Sequence, residues 1–317
     1  MQCSPTASSD RTRGLSATAY TARVIEDQPS ATALAAAAFR AAHRLDHQPI
    51  VFDDPLAAQL TSAEWRERLD AGAMASMIEE LGLLRIQAGL VGRARLLDDQ
   101  VEAAVADGIG QYVQLGAGLD SFAWRRPDLA KQLRVIELDH PATQGYKRQR
   151  LAELGLAIPP DVELAAVDFE RTGLAGALAR TSFDPRATVF FSWMGVVCYL
   201  TRAAFEATLG DVARASVAGS RILFDHPVPP EFVAKGDREL GRAVDAGVAA
   251  MGEVRGLKLA PASVAATARR LGFERTLDLS PESHRDRYFA DRTDGLLPNP
   301  EVHLVLLQHT GAPVPEA

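Results

Sequence analysis

The chain has 317 residues, 47% of them hydrophobic and 24% charged, a balance that supports a sizeable buried core and excludes wholesale disorder. Its formal net charge of −7 and pI near 5.6 leave no cationic excess to neutralise phosphates, which argues against a nucleic-acid or anionic-membrane partner and for a small-molecule one. The two cysteines, Cys3 and Cys198, supply neither a disulfide framework nor a metal-ligand cluster, so no metal is expected and a reducing cytoplasm fits.

Residues 1–14 are Ser/Thr/Arg-rich, lack the apolar stretch of a secretory signal, and are expected to form a disordered tail. Residues 15–110 read as a helical cover, because apolar residues recur at three- and four-residue steps without strand-like alternation. The Ala-rich run Ala31 to Phe39 falls well short of the ~20 residues that span a bilayer, so no membrane segment is read. Ser30 is placed either to cap a helix beginning near Ala31 or, with Thr32 and Arg40, to point inward from that cover. The helix carrying Leu97, Val101, Ala104 and Val105 on one face is closed by Gly108.

After residue 110 short apolar runs alternate with helical stretches, the pattern of a mostly parallel sheet with crossover helices. The runs are Tyr112–Leu115, Leu133–Leu138, Val162–Val167, Thr188–Phe191 and Arg221–Phe224, and Phe205, Leu209, Val212 and Ala213 mark the crossover helix between the last two. An insertion is read near 228–258, then a helix from Pro261 to Leu271, a strand Phe273–Leu279 and a buried closing strand Val302–Gln308. The expected fold is a Rossmann-like doubly wound α/β domain over 111–317 beneath the helical cover.

Gln114-Leu115-Gly116-Ala117-Gly118-Leu119-Asp120 joins a strand-like run to a helical one, and its glycines let the backbone approach a ligand closely. About 20 residues on, Glu137-Leu138-Asp139 ends the second strand, where an acid accepts hydrogen bonds from ribose hydroxyls. Alternation puts Glu137 and Asp139 on one side, and Asp139 lies nearer the ligand-bearing tip. At the third tip Asp168 can take adenine amino hydrogens while Phe169 covers the base. Ser121 stands where a dinucleotide loop carries its third glycine, so a pyrophosphate seat is doubtful and an NAD-dependent oxidoreductase becomes the rival reading. S-adenosylmethionine has no pyrophosphate and suits the looser loop.

Together these segments resemble the leucine carboxyl methyltransferase-like class I methyltransferases, in particular the bacterial branch of polyketide O-methyltransferases. The resemblance rests on Ile50 to Ala57, Gln111 to Arg125, Glu137 to Gln144 with Lys147, Val167 to Glu170, and Ser192 to Leu200. It implies a seven-stranded sheet with the last strand antiparallel and S-adenosylmethionine as cofactor, held by Gly116, Gly118, Asp120, Glu137, Asp139, Asp168 and Phe169. It further implies that Arg93 meets the cofactor's carboxylate, which a guanidinium suits bidentately. Many relatives carry Glu where this sequence has Met194, so Met194 is expected to pack against cofactor or substrate. No catalytic base is assigned.

The substrate-side candidates are Tyr199 and Tyr288, with His226 and Asp225 at the fifth strand's tip. O-methylation of a small-molecule carboxylate or hydroxyl is the expected activity, and a non-catalytic cofactor-binding protein is the second rival.

Overall fold

The computed structural model describes residues 28–169 and 171–314. Cys3, the expected tail and Glu170 lie outside them. Five helices come first: α1 (Ala31–Asp46), α2 (Ala57–Leu60), α3 (Ala63–Asp70), α4 (Ala73–Glu80) and α5 (Leu84–Ala106). They lead into β1 (Gln111–Leu115), α6 (Phe122–Arg125), α7 (Pro127–Ala130), β2 (Arg134–Asp139), α8 (Pro141–Glu153), β3 (Val162–Ala166), α9 (Leu174–Leu178), β4 (Val189–Trp193), α10 (Arg202–Ala215) and β5 (Arg221–Pro227). The chain closes with α11 (Arg238–Ala250), α12 (Pro261–Arg270), β6 (Phe273–Leu279), α13 (Pro281–Tyr288) and β7 (Val302–His309).

The sheet order is β3-β2-β1-β4-β5-β7-β6, with β1 to β5 parallel and β7 antiparallel to both its neighbours. All seven expected strands form, and β7 is antiparallel as the resemblance implies, lying between β5 and β6. The central strands bury both faces, which explains their unbroken apolar runs. Phe191, Trp193, Ile222 and Phe224 pack on one side of the sheet, while Tyr112, Phe190 and Leu223 pack on the other. Chain reversal in the order places the C-terminal tips of β1 and β4 beside one another, where open α/β sheets leave a crevice.

Three fastenings hold the N-terminal helices over that crevice. The buried Asp54 carboxylate accepts from Arg40 Nε (3.0 Å) and from Ser121 Oγ (2.7 Å), while Arg40 Nη2 donates to Leu119 O (2.8 Å). Burial opposes ionisation of Asp54, yet Arg40, Ser121 and Arg125 together hold its carboxyl below the ordinary range. Arg125 grips Asp98 of α5 bidentately, and Ser30 caps α1 by accepting from Ala33 N (3.1 Å). No helix among the described residues is long and apolar enough to cross a membrane.

Burial lowers His43, His226 and His284 to about 4, so the folded chain refuses protons that the unfolded chain accepts below 6.5. Their stabilisation is therefore complete above pH 6.5 and declines as pH falls toward 4. In denaturant titrations across that window, His226→Gln is expected to reduce the pH slope of stability by about 1.4 kcal/mol per pH unit. An unchanged slope contradicts a neutral, buried His226.

Candidate cofactor and acceptor site

A cavity of about 1200 Å³ opens at the C-terminal tips of β1 to β5, roofed by α1 and walled by α3 to α5 and α11. Its floor is the loop after β1. Gly116 and Gly118 adopt φ of 75° and 55°, the left-handed region that glycine enters without cost. A Cβ on Gly116 would lie 2.5 Å from Val196 Cγ2, so the close passage of the loop beneath the segment after β4 needs glycine there.

Asp139 faces the cavity from the tip of β2. Its Oδ2 accepts from Gly118 N (2.6 Å) and its Oδ1 from His140 N (2.7 Å), so two backbone donors fix the carboxylate against the loop. Each oxygen keeps a second lone-pair direction for a ligand hydroxyl. Burial pushes the Asp139 carboxyl up, and the two backbone donors pull against that. Asp120 also lines the cavity and accepts from Phe122 N (2.7 Å), which fixes the loop's exit into α6. Asp168 and Phe169 line the wall after β3, with Arg171 3.3 Å from the Asp168 carboxylate.

From α5, Arg93 reaches the tip of β5, where its Nη1 donates to Asp225 Oδ2 (2.9 Å). Asp225 Oδ1 accepts from Gly195 N (2.5 Å), so one carboxylate joins α5, the segment after β4, and β5. Gly195 has φ 70°, and a Cβ there would lie 2.6 Å from Arg93 Nη2, so glycine makes room for the guanidinium. Met194 and Tyr199 line the cavity as well. Burial pushes the Tyr199 hydroxyl well up and the Cys198 thiol up to about 11, which keeps both protonated at neutral pH.

Three residues expected at the site stand away from the cavity. Glu137 is completely buried and ion-paired to Lys147 of α8, because α8 covers the part of β2 behind the tip. His226 turns to the opposite side of β5 from Asp225, as alternation requires, and lies between the rings of Phe224 and His303. Tyr288 ends α13, and its hydroxyl donates to Asp99 of α5 (2.7 Å).

Other cavity residues escaped the sequence reading. Glu253 accepts from Ser30 Oγ (3.0 Å) and Thr32 Oγ1 (2.7 Å), so Ser30 caps α1 and also points inward. Arg255, almost wholly buried, lines the wall beside Cys198 and is 3.0 Å from Asp245 of α11. Glu253 carries no local signal, since its partners Ser30 and Thr32 lie more than 220 positions away in sequence. Among the described residues no group of three or more His, Cys, Asp or Glu is placed to hold a metal ion.

A family model described as leucine carboxyl methyltransferase matches residues 33–213, more than half of the chain. A Mycolicibacterium paratuberculosis protein named as a candidate S-adenosyl-L-methionine-dependent methyltransferase is 35% identical over 68% of this chain and 82% of its own. One of the same description from Bacillus subtilis is 28% identical over 88% of this chain and 98% of its own. Among solved structures, a DUF574 family protein from Streptomyces avermitilis aligns with a TM-score of 0.60 at 16% identity, over 90% of this chain and 100% of that one. A candidate methyltransferase from Thermobifida fusca aligns at 0.56 and 15% identity, over 90% and 96%, and these two likenesses speak to the fold alone. By the extent of the family match and by the relatives at this identity, the chain belongs to the leucine carboxyl methyltransferase family of S-adenosylmethionine-dependent methyltransferases.

Proposed function

We propose that the chain methylates an oxygen, carboxylate or hydroxyl, of a small-molecule acceptor, in the manner of secondary-metabolite O-methyltransferases. The observation that carries this reading is one continuous cavity whose first half is built from the strand tips and whose second half lies under the helical roof. S-adenosylmethionine supplies an electrophilic methyl group to such an acceptor.

In the first half, the loop backbone at Gly116 and Gly118 gives the close approach a ligand needs, with Asp120 at its exit. Asp139 takes the ribose hydroxyls on its remaining lone pairs, and Asp168 and Phe169 take the adenine edge and face. Arg93 gives one nitrogen to Asp225 and keeps others for the cofactor's carboxylate. Met194 packs beside it. Among the described residues, those from 111 to 314 form the cofactor-binding domain, with the segment near 228–258 inserted, and those from 28 to 110 serve as the lid.

In the second half, Tyr199 and Cys198 stay protonated and serve as donors rather than bases. With neither group set to take a proton, the half suits an acceptor oxygen that arrives ionised, which a carboxylate does without help. Closure by the Ser30 and Thr32 contacts to Glu253 excludes water and holds the reactants together, where effective molarities of about 10⁵ M are available.

The test is transfer of a tritiated methyl group to panels of carboxylic acids, phenols and alcohols, with the product located by mass spectrometry. Label on oxygen is expected. Transfer only to nitrogen, sulfur or carbon acceptors contradicts the proposal.

A further inference from the structure

Beyond the strand tips the cavity runs into a chamber of different chemistry. One wall is α11 with its capping residue Met251, along which Val244, Gly247, Val248 and Met251 follow at three- and four-residue steps and line the space. The flank of that helix is tied down: Asp245 lies 3.0 Å from Arg255 Nη1 and 3.2 Å from Lys258 Nζ. Elsewhere on the helix, Gly241 packs so closely on Glu301 that a Cβ would fall 1.7 Å from its Oε1. The helix is thus pinned at two places and presents its apolar residues to the chamber.

Met77, Ile86 and Leu90 of α4 and α5 line the same cavity and add to its apolar surface. Leu81 and Met251 line it too while being 61% and 37% exposed, which places both at the rim. Apolar side chains left in water around a cavity mouth mark where an apolar molecule crosses from solvent.

We infer that this chamber admits an acceptor with an extended alkyl or acyl chain lying along α11, and that Gly247 sets how bulky that chain can be. The inference rests on the methyltransferase reading of the cofactor half and adds to it the class of acceptor. Gly247 is helical and exposed, lines the cavity on the same stretch as the rim residue Met251, and a Cβ built on it meets nothing within 4 Å. A side chain at 247 therefore stands at the cavity mouth without backbone strain, and leaving glycine favours the helix. Gly241 has no such freedom, so the two glycines of α11 that flank Asp245 do different jobs.

The experiment titrates 11-(dansylamino)undecanoic acid, a fluorescent acyl-chain probe, into the full chain loaded with S-adenosylhomocysteine, for wild type, Gly247→Phe and Gly247→Leu. Wild type is expected to bind the probe saturably, and Gly247→Phe to bind it at least about tenfold more weakly, the loss from excluding two methylenes of apolar contact. S-adenosylhomocysteine affinity is expected to stay within about twofold of wild type in both variants. Should Gly247→Phe not fold, Gly247→Leu carries the test with a smaller loss. Unchanged probe affinity in the folded variants, or no saturable probe binding by a wild type that holds S-adenosylhomocysteine, overturns the inference and leaves the cofactor reading intact. A wild type that does not bind S-adenosylhomocysteine overturns the reading on which the inference rests.

Discussion

Replacing Asp139 with alanine is expected to weaken S-adenosylhomocysteine binding by about two orders of magnitude or more. In the proposed cofactor pose two charge-assisted hydrogen bonds to ribose hydroxyls are lost, at about 1.5–3 kcal/mol each. The loop loses its brace as well, because Asp139 Oδ2 is the acceptor for Gly118 N. Asp139→Asn separates the two effects, since its amide oxygen can still accept from Gly118 while the charge is gone. Calorimetry should therefore rank wild type above Asn and Asn above Ala. Wild-type affinity in Asp139→Ala contradicts the role given to this carboxylate.

Lys147→Met is expected to destabilise the fold by about 3–5 kcal/mol, the loss usual when one partner of a buried ion pair is removed. Lys147 and Glu137 are both wholly buried, with Lys147 Nζ also 5.4 Å from the centre of the Trp124 ring. Without Lys147, the Glu137 carboxylate is left uncompensated within the strand that ends in Asp139. Burial already pushes the Glu137 carboxyl up against the pull of Lys147. The penalty should shrink as pH falls and Glu137 takes up a proton. Adding Glu137→Gln to Lys147→Met should recover much of the stability, which denaturant unfolding at neutral and acid pH reads directly. Equal losses in the single and double variants would show that the lysine stem, not the charge pair, matters here.

The parallel strands were legible in the sequence because burial on both faces leaves unbroken apolar runs, as in Val189–Trp193. The loop after β1 was legible because close passage beneath Val196 leaves glycine as the residue for position 116. Asp139, Asp168 and Phe169 were found because strand tips in such sheets converge on one crevice, and all three line the cavity.

What escaped depended on which neighbour covers a residue. Glu137 shares a face with Asp139, yet α8 lies over one and not the other. A signal for this existed: Thr143, Gln144, Lys147 and Leu151 form one buried stripe of α8, and a lysine inside such a stripe calls for a buried acid. His226 was separable by alternation once Asp225 was assigned to the cavity. Tyr288 gave no comparable warning, because its partner Asp99 lies 189 positions away. The clasp between Glu253 and α1 spans more than 220 positions and was equally silent. The apolar spacing of Val244, Val248 and Met251 was readable, but only the fold shows that it faces the same cavity as the cofactor half.

The most direct measurement is calorimetric titration of the wild-type chain with S-adenosylmethionine, S-adenosylhomocysteine and NAD. Saturable binding of both adenosyl sulfur compounds, with none for NAD, is the predicted result. Saturable NAD binding with no response to S-adenosylhomocysteine would contradict the account of the cavity.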